Sequence, residues 1–285
     1  MIAVTGATGH LGRLVIDQLL KKVPAGQLVA VVRNPEKARE LAARGVQVRR
    51  ADYDAPDTLA GAFQGIDKLL LISANEPGKR ERQHQAAIAA AKKAGVGLLV
   101  YTSLLHADTS GISLAGEHRA TEKAIREAGI PFVILRNGWY LENYTENLGP
   151  ALQHGVLLGA AKNGRIAAAA RADFAAAAAA VLTAPGHEGK VYELAGDLPF
   201  TMAELAAEVA RRAGKPVAYS DLPAEKYEET LRGFGLPGPV AEMLASADEG
   251  IARGELDDAC GDLRRLIGRP TATLAQAVTA ALKRA

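Results

Sequence analysis

The chain alternates short continuous apolar runs with stretches whose apolar positions recur at helical spacing. Ile2–Thr5, Leu28–Val32, Val46–Arg50, Asp67–Ile72, Leu98–Thr102 and Phe132–Leu135 read as strands. Between them, Leu14–Leu20, Pro35–Ala43, Pro56–Phe63, Arg80–Ala94 and Glu117–Ala128 read as helices. Strands that are apolar throughout, rather than at every second position, suit a sheet covered on both faces. The alternation therefore predicts an α/β fold, a Rossmann-type doubly wound parallel sheet with right-handed crossovers.

The second half is less regular. Ala167–Ala184 predicts an alanine-rich helix with Arg171 embedded in it, and Val191–Ala195 a later strand of the same sheet. Thr201 with Glu204 is a capping box that opens another helix. Val217–Tyr219 predicts a short strand. From Pro223 the pattern is helical, interrupted by a loop over Gly233–Pro239. Residues 1–135 with 164–197 are expected to form the sheet domain. Residues 136–163 with 198–285 are expected to form a smaller, mostly helical, substrate-side region.

Composition narrows the function classes. A hydrophobic content of 48% and a charged content of 23% describe an ordinary globular protein of 285 residues. A net charge of +2 without a basic run argues against a nucleic-acid partner. Arg171 and Asp173 break the longest apolar stretch, so no membrane span is expected. A single cysteine, Cys260, excludes an internal disulfide and fits a reducing compartment; with a strand expected from Ile2, no signal peptide is expected. A cytoplasmic location is expected, and no metal site is.

The chemistry-bearing positions fall at strand ends, where doubly wound sheets bind ligands. The first strand runs into Gly6-Ala7-Thr8-Gly9-His10-Leu11-Gly12. Gly6 permits a tight turn, Gly9 lets backbone amides approach a pyrophosphate, and Gly12 lets the next helix sit close to the sheet. The spacing predicts dinucleotide binding. One βα unit later, Arg33 stands where an acidic residue would hold a free ribose 2′-hydroxyl and an arginine suits a 2′-phosphate. NADP is thereby favoured over NAD, although an exposed loop arginine would look the same.

Ser73-Ala74-Asn75, after the fourth strand, is either a nicotinamide-ribose contact or a plain turn. Asp52 either meets the adenine edge or caps its loop. After the fifth strand an ordinary short-chain dehydrogenase would carry Tyr-x-x-x-Lys as its general acid, yet none of the seven tyrosines has a lysine four positions later. His118 and Glu122 share a helix face instead, as a proton relay or a solvated surface pair. Hydride delivery to a ketone builds an alkoxide that demands a proton donor, whereas delivery to a quinone builds a stabilised phenolate that water can protonate. The missing acid suits a quinone-like acceptor, or no catalysis. Past the sixth strand stand Asn137, Gly138, Trp139, Tyr140 and Asn143. They could line the nicotinamide side and wall a flat acceptor, or the aromatics could be core packing. Arg171 could reach the cofactor or pair locally.

Gly6–Gly12, Val32-Arg33-Asn34-Pro35, Tyr101–Ser110, Leu135–Tyr140 and His187–Gly196 together resemble the NmrA-like atypical short-chain dehydrogenases, and among them the bacterial NADPH-dependent quinone oxidoreductases. The resemblance runs the whole length. It implies NADPH held by Gly6, Ala7, Thr8, Gly9, His10, Leu11 and Arg33. Ser73, Ala74, Asn75, Asn137, Gly138, Trp139, Tyr140, Asn143 and Arg171 complete the implied site. His10 departs from the glutamine expected there, and its ring N–H offers a comparable donor. The implied enzyme passes hydride directly to a small-molecule quinone and names no catalytic side chain. A triphenylmethane-dye-type reductase, a non-catalytic NADP(H) redox sensor and a homodimeric assembly remain open.

Overall fold

The computed structural model describes residues 1–76 and 78–283. The elements follow in the order β1 (Ile2–Thr5), α1 (His10–Leu19), β2 (Leu28–Val32), α2 (Arg39–Ala43), β3 (Gln47–Arg50), α3 (Pro56–Ala62), β4 (Lys68–Leu71), α4 (Arg80–Lys93), β5 (Leu98–Leu104), α5 (Ala115–Glu127) and β6 (Phe132–Asn137). After them come α6 (Glu142–Thr145), α7 (Gly149–His154), β7 (Val156–Gly159), α8 (Arg171–Thr183), β8 (Val191–Leu194), α9 (Met202–Ala213), β9 (Ala218–Asp221), α10 (Ala224–Gly233), α11 (Gly238–Ala252), α12 (Asp262–Ile267) and α13 (Leu274–Leu282). No helix among the described residues is long and apolar enough to cross a membrane.

The chain divides into two compact units, residues 1–104, 117–137 and 171–192, and residues 105–116, 138–170 and 193–285. The first contains the Rossmann sheet, whose strand order is β3-β2-β1-β4-β5-β6-β8. The pairs β1–β2, β1–β4, β2–β3, β4–β5 and β5–β6 are all parallel. Strand order reverses between β1 and β4, and a crevice at such a switch point is where these sheets take ligands. One face of the sheet is closed by a core that includes Val29, Phe63, Leu69, Leu71, Ile88, Leu99, Tyr101 and Ile125. Elsewhere in the unit α1 packs on α8, and the alanines of α8 allow a close approach.

The second unit has its own core around Leu105, Ile112, Leu141, Phe200, Leu205, Val209 and Ile251. Its two-stranded sheet pairs β7 with β9 in parallel. The Thr201–Glu204 capping box forms as expected, and Thr273 with Gln276 makes a second at the start of α13.

Four sequence expectations need correction. The alanine-rich helix begins at Arg171, not Ala167, because Ala167 and Ala169 spend their amides on the carbonyls of Leu256 and Trp139. Arg171 is therefore the first helical residue rather than an embedded one. Strands β5 and β6 run two residues further than their apolar stretches, which places Asn137 inside a strand. The 35–43 helix is a 3-10 turn over 35–38 followed by the short α2. The 233–239 loop is shorter, because α10 extends through Gly233 and α11 opens at Gly238.

Candidate cofactor site

Within the first unit, β1 delivers the chain into a turn that only glycine makes without strain. Gly6 has φ +59°, in the left-handed region, and its carbonyl accepts the Gly9 N–H at 2.9 Å. Gly9, in extended backbone, is the N-cap of α1; no side chain caps the helix, and no acidic residue stands in its first turn. A Cβ on Gly12 would lie 2.3 Å from the Gly6 carbonyl oxygen and 2.8 Å from the Ala7 Cα. The helix thus rests directly on the turn, and its uncapped amide end, with the positive pole of the helix dipole, suits a pyrophosphate. That cradle fits the dinucleotide expected from the sequence.

The neighbouring strand ends are tied to the turn by side chains. Thr5 Oγ1 donates to the Leu70 carbonyl at 3.1 Å and accepts the Ile72 N–H at 3.0 Å. A Cβ on Gly6 would lie 3.7 Å from Ile72 Cβ, so the glycine turn and the segment after β4 stand side by side. Ser73 N–H donates to Thr102 Oγ1 at 2.9 Å, and both backbone groups of Ala74 are taken by side chains of α4. Ser73–Asn75 is therefore no plain turn but a segment fixed at the carboxyl end of β4.

Arg33, just past β2, has a side chain 64% exposed and pairs with Glu76 at 3.1 Å, which draws it to the same segment. Lys79, bonded to the other Glu76 oxygen at 3.0 Å, holds the Glu76 carboxyl below the usual carboxylate range. The guanidinium is thus already bound to one anionic group in the place where a phosphate is expected. Asp52 accepts the N–H of Asp54 at 3.0 Å, the loop-capping role among its two options. Asn137 is buried, and its amide oxygen finds no hydrogen-bond donor among the described residues. A buried acceptor left unsatisfied is costly, and it suits a partner that the protein alone does not supply.

His118 and Glu122 are neither a relay nor a solvated pair. They are 6% and 5% exposed and turn to different partners. The Tyr101 hydroxyl shares a hydrogen bond of 2.7 Å with His118 Nδ1, while Glu122 accepts Ser103 Oγ at 2.6 Å and the Arg136 guanidinium at 3.0 and 2.9 Å. Burial, with the Arg80 charge, pushes His118 down to about 3, and burial raises Tyr101 far above the ordinary tyrosine value. His118 is thus neutral and Tyr101 keeps its proton at neutral pH, so neither is an acid poised for that range.

Of the remaining expected positions, Arg171 opens α8 in the first unit, and Gly138, Trp139, Tyr140 and Asn143 belong to the second. Gly138 donates its N–H to the Leu194 carbonyl at 2.7 Å, and a Cβ there would lie 3.1 Å from that oxygen. Trp139 is half-buried against the core of the unit, so core packing accounts for part of its surface. Tyr140 bridges to Ala169 and accepts the Asn143 N–H at 3.0 Å. Cys260 is exposed, but burial of its thiol, with Asp258 beside it, pushes it up to about 12, which makes it a poor nucleophile. Sequence reasoning missed Thr5, Glu76, Arg80, His84 and Thr102. The one available signal was Arg80, Gln83 and His84, three polar residues on what becomes the buried face of α4.

A family model described as NAD(P)H-binding matches residues 6–185. Quinone oxidoreductase 2 of Escherichia coli (strain K12) is 54% identical over 98% of this chain and 98% of its own. The crystal structure of an NADPH-dependent quinone oxidoreductase from Escherichia coli complexed with NADPH superposes with a TM-score of 0.97, at 54% identity, covering 99% of this chain and 100% of that one. The triphenylmethane reductase of Citrobacter sp. complexed with NADP(H) gives a TM-score of 0.95 at 42% identity, covering 99% and 100%. With its glycine turn inside the matched span and full-length relatives on both comparisons, the chain belongs to the NAD(P)H-binding, NmrA-like family.

Proposed function

We infer that the chain is an NADPH-dependent quinone oxidoreductase that transfers hydride directly to a quinone. The observation that carries the reading is the uncapped amide end of α1, seated on a glycine turn at the switch point of the sheet beside Arg33. The 54% identical Escherichia coli relative supplies the acceptor class.

When bound, NADPH supplies a hydride that reduces the quinone to a hydroquinone anion, which water then protonates. The α1 amides and the turn Gly6–Leu11 would hold the pyrophosphate. Arg33 would take the 2′-phosphate, exchanging one anionic partner for another while Glu76 keeps Lys79. Ser73, Ala74, Asn75, Asn137 and Arg171 are assigned to the nicotinamide end, with Asn137 offering its unsatisfied amide oxygen. Gly138, Trp139, Tyr140 and Asn143 are proposed for the acceptor side. The protein contributes orientation, not a proton. A reaction fed by NADPH fits a cytoplasmic location.

The test mixes protein, NADPH and 1,4-benzoquinone and follows loss of the reduced-cofactor absorbance above the non-enzymatic rate. Arg33→Asp is expected to raise the KM for NADPH about 10- to 100-fold, the worth of a lost charge-assisted fork, and to leave NADH nearly unchanged. Equal losses for the two cofactors would remove Arg33 from its role. Cofactor binding without quinone-dependent oxidation would favour the sensor reading instead.

A further inference from the structure

The segment after β4 leaves the sheet at Ile72, beyond the last residue of the ladder. Its backbone groups still need partners, and side chains provide them. Thr5 takes the Ile72 N–H and Thr102 the Ser73 N–H. Ala74 is held from both sides: His84 Nε2 accepts its N–H at 3.0 Å, and Arg80 Nε donates to its carbonyl at 2.8 Å. Arg80 pairs through its other end with Glu117, whose second oxygen accepts the Gly78 N–H at 3.1 Å.

This network dictates the state of His84. Because Nε2 accepts a backbone N–H, it carries no proton. Nδ1 is then the protonated nitrogen and donates to Thr121 Oγ1 at 3.0 Å, while the Thr121 hydroxyl donates to the Glu117 carbonyl at 2.9 Å. The ring is fully buried and stands edge-on to Tyr101 at 5.4 Å. Burial and the adjacent Arg80 charge push it down to about 3, so it remains an acceptor at physiological pH. A histidine kept neutral, in one tautomer, with both nitrogens used on a single loop and its support, is more than packing requires.

We propose that His84, together with Arg80, is a positioning residue for hydride transfer, clamping Ala74 by both backbone groups so that Ser73–Asn75 meets the nicotinamide end in a fixed geometry. The proposal rests on the cofactor reading above and deepens it. A loop released by about 1 Å would still bind the phosphates through α1 and Arg33 but would present the ring poorly. The loss then falls on kcat rather than on cofactor selectivity.

The test compares wild type, His84→Ala and His84→Gln, whose amide oxygen can accept the Ala74 N–H in place of Nε2. In the cofactor-free protein, amide hydrogen exchange over 72–76 is expected to rise about tenfold in His84→Ala, with β5 amides unchanged. NADPH should protect 72–76 in wild type and fail to do so in the alanine variant. The kcat with benzoquinone should fall roughly 10- to 100-fold while the ratio of KM values for NADPH and NADH stays as in wild type. Glutamine should restore most of each. Should His84→Ala not fold, Thr121→Val, which removes the acceptor of the Nδ1 proton and so the ring's support, takes its place with the same readouts. Unchanged exchange over 72–76, loosening spread equally through β5, or a loss confined to KM overturns the proposal. A wild type that does not reduce benzoquinone, yet whose 72–76 amides NADPH protects only while His84 is present, ends the quinone reading and upholds the clamp.

Discussion

Acidification provides a quantitative check on the buried histidines of the first unit. His84 and His118 are both pushed from an ordinary 6.5 to about 3, first by burial and then by the Arg80 charge that both face. Their surroundings also include Glu117 and Thr121 on α5, Tyr101 on β5 and Tyr53 after β3. Folding favours the neutral imidazole, so the stability this brings is fully present above the unfolded value of 6.5 and is lost as pH falls towards 3. Between pH 7 and pH 5 the unfolded chain takes up most of one proton per imidazole and the folded chain almost none. The loss is about 2 kcal/mol for each ring. Asp248 in the second unit works the other way, because burial raises it to about 6 and its folded form gains protons first; it offsets about 1 kcal/mol. Urea unfolding followed by circular dichroism should therefore show a net loss of about 2–3 kcal/mol from pH 7 to pH 5. His118→Asn, which keeps one buried imidazole, should lose about 2 kcal/mol less over that interval. Stability that is flat or rising towards pH 5, or an NMR titration placing either ring near 6.5, would refute the burial account.

Two further substitutions probe other parts of the first unit. Glu122→Gln removes the carboxylate charge that the buried Arg136 guanidinium forks onto and weakens the Ser103 bond; a destabilisation of about 1–3 kcal/mol is expected, read as a lowered urea midpoint. Gly12→Ala drives a methyl group into the Gly6 carbonyl and forces α1 off its turn. NADPH affinity, measured by fluorescence titration, should fall at least about tenfold, because the amides no longer converge on the phosphates.

The glycine turn and the parallel sheet were legible because each is encoded locally: a strand, a turn with glycines at fixed offsets, then a helix. What escaped reading depends on pairs distant in sequence. The His118–Glu122 spacing correctly defines one helix face, but only the long-range partners Tyr101, Ser103 and Arg136 show that this face is buried. For the same reason β5 and β6 look too short in sequence, since Ser103 and Arg136 are polar residues that belong in a strand once Glu122 answers them. The alanine run could not mark its own helix start, because Ala167–Ala170 have nearly the same propensity as the residues after Arg171. The segment 73–75 was visible as a candidate, whereas the hands that hold it, His84 and Thr102, lie on other elements.

The poor side chains of α8 bear on phosphate binding from a distance. Ala175, Ala177, Ala178 and Ala179 are buried on a helix that packs against α1, whose Val15, Ile16 and Leu19 are equally enclosed. Methyl groups there act as shims: they set how low α1 lies against its neighbour, and with it the height of the amide crown at Gly9. A larger residue on the face of α8 that meets α1 is expected to lift that helix from its seat, so packing between the two helices bears on the amides at the start of α1.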